Sequence, residues 1–238
     1  MKLLEGKVAL ITGASRGIGK GIAEVFAQHG ASIAFTYASS EEKARAFEAE
    51  LAATGVKAKG YKSDASDFNA AQVLVDEVVA EFGTIDILIN NAGLLINKPF
   101  SNLTHQDFTD SYQVNVIGIM EATQALLPAL APNAHIVNIS SMGGFQGSLK
   151  FAGLAAYSTS KAALCAFTEL FAEEYKATGI HMNCLCLGAV QTEMLAAAFP
   201  GYIAPTSASQ MAHFIADFAL NSGAFFNGKI IPVSSSNP

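Results

Sequence analysis

Charge is sparse in this sequence, and the basic residues form no cluster. Charged residues make up 14% of the 238 residues, and the formal net charge is -6, with lysine and arginine scattered along the chain. Nucleic-acid-binding surfaces and polybasic membrane anchors need concentrated positive charge, so this distribution argues against both. We expect the partners to be small molecules and other copies of the same chain, with no nucleic acid and no membrane.

Long hydrophobic runs are also lacking. Nowhere do about 18 uncharged apolar residues occur together, as a membrane-spanning helix requires. The opening segment MKLLEGKVALITG has an apolar run too short for a secretory signal, and it continues into glycine-rich sequence rather than a cleavage site. The sequence therefore predicts a cytoplasmic protein.

Cysteine is scarce, with three residues at positions 165, 184 and 186. An odd number in a chain without an export signal predicts reduced, buried thiols. Cys184 and Cys186 have the spacing of one face of a strand, which favours packing over a disulfide. The five histidines are dispersed, and no Cys or His pair has a second pair at ligand spacing. We therefore expect no metal site.

Apolar residues are abundant, at 51% of the chain, which indicates a compact protein with a large core. No repeat, linker or shift in composition divides the chain, and we predict one domain over residues 1–238. Short apolar runs alternate with helical patterns, and such runs are typical of strands buried on both faces. The predicted strands are 7–12, 32–37, 57–63, 85–90, 134–140, 180–187 and 229–233. The predicted helices are 17–28, 41–53, 67–82, 104–130, 154–176 and one beginning at 210. This order predicts an α/β Rossmann fold, a doubly wound seven-stranded parallel sheet with helices on both faces.

A glycine-rich turn, TGASRGIG, follows the first predicted strand and opens a helix. Gly13, Gly17 and Gly19 let the backbone turn sharply and approach a ligand, while the helix N-terminus offers N–H groups to a pyrophosphate. The spacing is G-x-x-x-G-x-G rather than the commoner G-x-G-x-x-G, and such a turn also occurs as a plain connection. Its place after the first buried strand favours a dinucleotide site.

The end of the second predicted strand bears on which dinucleotide binds. An NAD site places an acid there, whereas this chain has Tyr37 and Ser39 and no acid before Glu41. Arg16 and the hydroxyls of Ser39 and Ser40 are suited to a 2′-phosphate, so we favour NADP(H) over NAD(H). The alternative is that Arg16 is only solvated and Ser39 caps the following helix.

The stretch YSTSK places Tyr157 and Lys161 four residues apart on a predicted helix, where they face the same space. A cation there would lower the pKa of the tyrosine from about 10. A surface Tyr–Lys contact is the plainer interpretation of this pair taken alone.

Five motifs in order suggest a known family. They are TGASRGIG at 12–19, INNAG at 89–93, VNV at 114–116, ISS at 139–141 and YSTSK at 157–161. With these motifs the chain resembles the short-chain dehydrogenase/reductase family, of the classical single-domain type, over nearly its whole length. Its first half resembles 3-oxoacyl-[acyl-carrier-protein] reductases in particular.

The resemblance implies a role for each matching residue. Tyr157 would be the general acid in reduction and the general base in oxidation, and Lys161 would hold the nicotinamide ribose and depress the pKa of the tyrosine. Ser141 would hydrogen-bond the substrate oxygen, and Asn115 would support a water that links Lys161 to solvent. An alternative for Asn115 is that it satisfies a kink in a long helix.

The same resemblance implies a set of cofactor-binding residues. Asp64 and Ala65 would meet the adenine, residues 91–93 would line the adenosine side, and Val190 and Thr192 would meet the carboxamide. Asp64 capping a turn, and Asn91 joining neighbouring loops, are the plainer alternatives. The full set is Gly13, Ser15, Arg16, Gly17, Ile18, Gly19, Tyr37, Ser39, Ser40, Asp64, Ala65, Asn91, Ala92, Gly93, Tyr157, Lys161, Val190 and Thr192.

Three departures from the family pattern affect the substrate. The segment between Ser141 and Tyr157 is a few residues longer than expected for an acyl-carrier reductase, and Leu187 replaces the usual proline before Gly188. After Met194, only residues 195–209 precede the next helical run at Gln210, so the region that forms a substrate lid in this family is short. We expect an open, apolar pocket. Its predicted lining is Met142, Phe145, Leu154, Leu195 and Phe199.

These features predict an NADP(H)-dependent carbonyl reductase or secondary-alcohol dehydrogenase for an apolar ketone or 3-oxoacyl-type substrate. The alternatives are a dinucleotide-binding regulator without turnover, and an epimerase or dehydratase, which would need a larger C-terminal domain. The helices predicted at 104–130 and 154–176 are apolar around much of their circumference, so we expect a homo-oligomer, a tetramer or a dimer. The alternative is that loops cover those faces.

Overall fold

A computed structural model describes residues 2–65, 67 and 70–235, and it has the predicted architecture at its centre. Seven parallel strands form one sheet in the order β3-β2-β1-β4-β5-β6-β9, and two short strands, β7 and β8, pair separately. The strands are β1 (Val8–Ile11), β2 (Ser32–Tyr37), β3 (Ala58–Lys62), β4 (Ile85–Asn90), β5 (Leu130–Ser141), β6 (His181–Leu187), β7 (Val190–Gln191), β8 (Thr206–Ser207) and β9 (Ile230–Val233). The predicted doubly wound α/β fold is confirmed.

Helices connect successive strands and cover both faces of the sheet. They are α1 (Gly17–Gln28), α2 (Glu41–Ala52), α3 (Ala70–Phe82), α4 (His105–Tyr112), α5 (Gly118–Leu126), α6 (Ala155–Glu174), α7 (Glu193–Ala198) and α8 (Ala208–Asn221). Within the described part of the chain, no helix is long and apolar enough to cross a membrane.

Successive side chains of a strand point to opposite faces of the sheet, and the apolar side chains on each face form a separate core. In β1, Ala9 and Ile11 face the core formed with α1, α2 and α8, while Val8 and Leu10 face the core formed with α3, α5 and α6. Strands that are apolar on both faces are what a parallel sheet covered by helices requires. The near-continuous apolar runs of the sequence therefore have a direct structural reason.

Local sequence features set several helix boundaries. Gly30 and Gly179 have φ of +91° and +81°, a left-handed conformation that ends a helical segment at low steric cost. Thr104 and Asp107 form a reciprocal capping box at the start of α4, with each side chain accepting from the other's backbone N–H.

The predicted helix over 104–130 is wrong as one continuous element. A π-helical turn at Gln113–Ile117 separates α4 from α5, and a short 3-10 turn at Leu127–Ala129 ends the segment. Leu130 is the first residue of β5, because its backbone pairs with Ile85 of β4 instead of continuing the helix. Of the helix expected over 67–82, the part at 68–69 lies outside the described residues.

The structure also contains elements that we did not predict. Thr192 is the N-cap of the six-residue α7, and its side chain accepts a hydrogen bond from the backbone N–H of Leu195. Beyond it, β7 pairs with β8 in a small parallel sheet. These elements are too short to produce a periodic signal, and they cover one side of the site described below.

Candidate active site

A cavity of about 890 Å³ opens where the order of the strands reverses. β1 lies between β2 and β4, so the loops after β1 and β4 leave the sheet in opposite directions and create a crevice at its carboxyl edge. Most of the predicted site residues line this cavity. They are Gly13, Ser15, Arg16, Gly17, Ile18, Tyr37, Ser39, Ser40, Asp64, Ala65, Asn91, Ala92, Gly93, Ser141, Met142, Leu154, Tyr157, Lys161, Val190, Thr192, Leu195 and Phe199.

The glycine turn has the shape that a bound phosphate group requires. Gly13 and Gly17 have φ of +65° and +58°, which favours glycine at both positions. A Cβ on Gly17 would meet only the Thr192 side chain, at 3.9 Å, so the turn borders open space. Arg16 caps α1 without a side-chain hydrogen bond, which leaves the first N–H groups of the helix to a ligand.

Gly19 lies behind the turn rather than on the cavity wall. A Cβ there would approach the Asn91 Nδ2 atom to 2.6 Å and the Gly13 oxygen to 2.8 Å, so glycine permits this packing. Asn91 donates to the backbone oxygens of Thr12 and Gly13, at 2.9 Å and 3.1 Å. The alternative of Asn91 joining neighbouring loops is therefore present in the structure, alongside its place on the cavity wall.

Thr12, the first residue of the TGASRGIG motif, connects two of the loops that border the cavity, a role that we did not predict. Its Oγ1 accepts from the backbone N–H groups of Asn91 and Ala92, each at 3.0 Å. The next residue, Gly13, donates its N–H to Thr36 Oγ1 at 2.9 Å. These bonds tie the carboxyl ends of β1, β2 and β4 to one another.

The end of β2 presents hydroxyls and a cation to the cavity. Ser40, and not Ser39, is the N-cap of α2, and its side chain makes no capping bond, which contradicts the alternative in which Ser39 caps this helix. Ser39, Ser40 and Lys43 all line the cavity. Lys43 carried no motif signal, yet it adds positive charge beside the two hydroxyls.

Arg16 has a partner that the sequence did not suggest. Its Nη1 donates to Glu193 Oε2 at 2.6 Å, and both side chains are largely exposed. Glu193 is the first residue of α7, so the ion pair joins the glycine turn to the short helix on the other side of the cavity.

Ser141, Tyr157 and Lys161 line the same cavity as the glycine turn. Ser141 ends β5, and Tyr157 and Lys161 lie one turn apart on α6. The Lys161 ammonium is 6.0 Å from the centre of the Tyr157 ring and donates to the backbone oxygen of Ile139 at 2.8 Å. The tertiary structure thus brings two sequence motifs to one point.

The pKa of Tyr157 is raised, so the expected depression by Lys161 is wrong for this arrangement. Burial of the phenol raises it, and interaction with Ser141 only partly opposes that rise. Lys161 is 3% exposed, and burial lowers its own pKa to about 8. Its ammonium bonds a main-chain carbonyl, which keeps the positive charge at a distance from the phenol.

Asn115 does not line the cavity; it lies in the π-helical turn between α4 and α5. Its side chain exchanges two hydrogen bonds of 2.9 Å with the backbone of Leu94 and donates to Ser160 Oγ at 2.9 Å. The kink that we considered as an alternative role is therefore real. π-turns of this kind are frequent at functional sites.

The segment after Ser141 packs closely on α6. A Cβ on Gly144 would lie 2.6 Å from the carbonyl carbon of Lys161 and 2.7 Å from the nitrogen of Ala162. Lys150 then binds the loop internally, donating to the Gly143 and Phe145 oxygens at 3.0 Å and 2.6 Å. Lys150 carried no sequence signal for this role.

Phe145 does not line the cavity, unlike the other predicted apolar residues. It packs with Met142 against Cys165, Cys184 and Cys186. The turn at Gly143 and Gly144 directs the loop over α6 and so carries Phe145 away from the cavity. The apolar wall instead includes three residues that we did not predict, and these are Leu149, Phe151 and Tyr202.

The three cysteines are free and buried, as expected, but they form one cluster. The Cys165 sulfur lies 3.9 Å from that of Cys184 and 3.6 Å from that of Cys186. Hydrogen bonds from Cys184 and Cys186 lower the pKa of Cys165, and the hydrogen bond with Cys165 raises the pKa of Cys184. The sequence showed the pair on β6 but not its meeting with α6.

Comparison with known proteins defines the class. The family model described as short chain dehydrogenase matches residues 7–202. The chain is 39% identical to Oxidoreductase UcpA of Salmonella typhimurium over 82% of this chain and 73% of that protein. It is 32% identical to 3-oxoacyl-[acyl-carrier-protein] reductase FabG of Escherichia coli over 97% of this chain and 96% of that protein.

A solved structure gives the same result. A short chain dehydrogenase from Burkholderia cenocepacia, described as in complex with NADP, has a TM-score of 0.90 and 33% identity, with 98% of both chains covered. The chain belongs to the short chain dehydrogenase family, and the predicted resemblance to 3-oxoacyl-[acyl-carrier-protein] reductases is confirmed.

Proposed function

We propose that this protein is an NADP(H)-dependent oxidoreductase that interconverts a ketone and a secondary alcohol, with Tyr157 as the proton donor. The observation that carries the proposal is that Ser141, Tyr157 and Lys161 line the same cavity as the glycine turn. A protein that only binds a dinucleotide has no chemical need for a hydroxyl donor, an acid and a cation together at one place.

The chain's own residues supply positioning and the proton. When bound, NADPH supplies the hydride. The Ser141 hydroxyl donates to the substrate oxygen and stabilises the negative charge that develops there. Tyr157 gives its proton to that oxygen in reduction and takes it back in oxidation, and one positioned acid contributes about 10²–10⁴-fold. Lys161 would hold the ribose hydroxyls of the bound cofactor.

The preference for NADP(H) rests on the end of β2 and on the glycine turn. No acid stands at the end of β2 before Glu41, whereas Ser39, Ser40 and Lys43 line the cavity. Arg16 at the start of α1 adds a guanidinium, the group best suited to a phosphate. The relative from Burkholderia cenocepacia, described with NADP, is in line with this assignment.

The proposed substrate is an apolar ketone or a 3-oxoacyl-type compound. The apolar residues Met142, Leu154, Leu195 and Phe199 all line the cavity. The similarity to the Escherichia coli 3-oxoacyl-[acyl-carrier-protein] reductase supports the second type.

The test is a titration of the purified protein with NADPH and with NADH, followed by absorbance measurements at the reduced nicotinamide band with a panel of ketones and a 3-oxoacyl thioester. We expect NADPH to be oxidised in preference to NADH. Tyr157→Phe should remove most turnover and keep the affinity for NADPH. Turnover that survives in Tyr157→Phe, or a wild-type protein that binds neither nucleotide, would refute the proposal. Tight NADPH binding without turnover of any compound would favour the regulatory alternative.

We also propose that the protein is a homo-oligomer, a tetramer or a dimer. Large apolar side chains are exposed next to the site helices, among them Ile117 at 41%, Met120 at 41% and Leu170 at 69%. Exposed apolar residues of this kind usually mark an interface. Size-exclusion chromatography with light scattering checks the prediction, and a monomer at micromolar concentration would contradict it.

A further inference from the structure

Three buried cysteines form a cluster behind the wall of the cavity, outside the site already described. Cys165 projects from α6 onto β6, where Cys184 and Cys186 lie on one face. Their three sulfur atoms all lie within 4.8 Å of one another. These are the only cysteines in the sequence, so the fold collects every thiol of the chain at one point.

The sulfur separations match those of atoms that share a metal ion. A zinc–sulfur bond is about 2.3 Å, so two sulfurs on one ion are about 3.8 Å apart in tetrahedral geometry and about 4.0 Å apart in trigonal geometry. The Cys165 sulfur is 3.9 Å from that of Cys184 and 3.6 Å from that of Cys186. A disulfide needs about 2.05 Å, so none of the measured pairs is bonded.

The surroundings favour a soft ion over a hard one. Met142, Phe145 and Ile230 pack around the three thiols, and Cys184 and Cys186 have no exposed surface. Mg²⁺ and Ca²⁺ require six or more oxygen ligands and retain water, whereas three sulfur atoms form this cluster. Thiolates in a dry site select zinc or cuprous ions.

Contrary to the expectation of no metal site from the sequence, we propose that Cys165, Cys184 and Cys186 form a binding site for one soft d10 cation, represented by Zn²⁺ and its spectroscopic analogue Cd²⁺. On binding, each thiol releases its proton to solvent and forms one metal–sulfur bond, and no electron is transferred. Cys165 keeps 9% of its surface exposed and is the point of entry.

The site lies directly behind the lysine of the cavity. The Cys165 sulfur is 3.3 Å from the backbone oxygen of Lys161, and Ser140 donates to that same oxygen at 2.9 Å. Cys186 immediately precedes Leu187, which lines the cavity. A bound ion therefore cross-links α6 to β6 at this position, and it should raise the melting temperature because it binds only the folded chain.

The experiment uses the full chain, kept reduced with a phosphine and freed of metal by a chelator that is then removed. Titration with Cd²⁺ should produce the ultraviolet thiolate-to-cadmium charge-transfer band, saturating at one ion per chain. Zn²⁺ should displace Cd²⁺ and remove the band, and the saturated protein should melt at a higher temperature. Cys165→Ser should lose most of the band, whereas Ala166→Ser, at the neighbouring exposed position on α6, should keep it.

The absence of the band in the wild-type protein would overturn the proposal. So would a band of unchanged intensity in a folded Cys165→Ser protein, or saturation at half an ion per chain, which indicates cross-linking of two chains. If the serine variant does not fold, X-ray absorption of the zinc-loaded wild-type protein decides: three sulfurs at about 2.3 Å support the site, and nitrogen or oxygen ligands refute it.

Discussion

The Lys161 ammonium donates a hydrogen bond to the backbone oxygen of Ile139, at a distance of 2.8 Å. Gly93 lies over the same ammonium, and a Cβ on that glycine would be 3.4 Å from Nζ. A main-chain carbonyl, rather than an acid, therefore holds the most buried cation of the cavity. This environment lowers the pKa of Lys161 to about 8 from its ordinary 10.5, because burial disfavours the charged form.

The lowered pKa of Lys161 predicts how stability depends on pH. Between pH 8 and 10.5 the unfolded chain holds more protons on this lysine than the folded chain does. The free energy of unfolding should therefore rise with pH in that window, by up to about 3 kcal/mol, relative to the uncharged variant Lys161→Met. Below pH 8 both states are protonated, and the difference between the two proteins should be constant.

Urea unfolding of the wild type and Lys161→Met at several pH values from 7 to about 10.5 measures this difference directly. A difference that stays flat across the window would show that the pKa of Lys161 is not lowered in the folded protein.

The close packing around Gly144 leaves no room for even one added methyl group. Its Cβ would come within 2.7 Å of backbone atoms of Lys161 and Ala162, and a backbone cannot yield as a flexible side chain does. Gly144→Ala should lower the free energy of unfolding by about 1–3 kcal/mol and reduce turnover, because α6 must shift. Thermal and urea unfolding, with turnover measured alongside, check both effects.

Gly223→Ala is the matched control for Gly144→Ala. A Cβ on Gly223 would lie 3.5 Å from the His135 ring, an ordinary contact distance. Equal losses of stability at the two positions would contradict the steric explanation.

The ion pair between Glu193 and Arg16 leads us to predict that substitution of Glu193 changes the affinity for the cofactor. Its carboxylate pairs with Arg16, the guanidinium that we propose for the 2′-phosphate. Glu193→Gln should tighten NADPH binding by up to about fivefold, because an exposed pair is worth at most about 1 kcal/mol, and should leave NADH binding unchanged. Fluorescence titration with both nucleotides measures the two constants. Glu174→Gln, at the end of α6, serves as the control, and weaker NADPH binding in Glu193→Gln would contradict the prediction.

We predict that removing the Lys150 ammonium weakens substrate binding. Its ammonium donates to two carbonyl oxygens and to Ser148 Oγ, and thereby holds the loop that follows Ser141. Lys150→Met should lower kcat/KM mainly through KM and leave NADPH affinity unchanged, since the loop borders the apolar wall and not the glycine turn. Steady-state kinetics with the best substrate of the panel provides the measurement, and an unchanged KM would refute the role.

Much of the fold was predictable because its signals are local. The bounds of α1, β2 and β4 agree with the predicted ranges, since continuous apolar runs mark the two strands and glycines lie at both ends of α1. The prediction of one helix over 104–130 was wrong because the helical periodicity of the sequence continues through the π-helical turn. Only the pairing of Leu130 with Ile85 shows where the strand begins. Short elements such as α7 give too few residues for any period to appear.

For the site as for the fold, features set by neighbouring residues were predictable from the sequence, and features set by distant contacts were not. The sequence by itself determined the glycine turn, the absence of an acid at the end of β2 and the spacing of Tyr157 and Lys161, because each depends on neighbours along the chain. Only the tertiary structure decided that Arg16 meets Glu193, 177 residues away, and that Cys165 meets the cysteines of β6. It also decided that the pKa of Tyr157 is raised, because burial and hydrogen-bond partners are set by how the elements pack and leave no trace in local spacing.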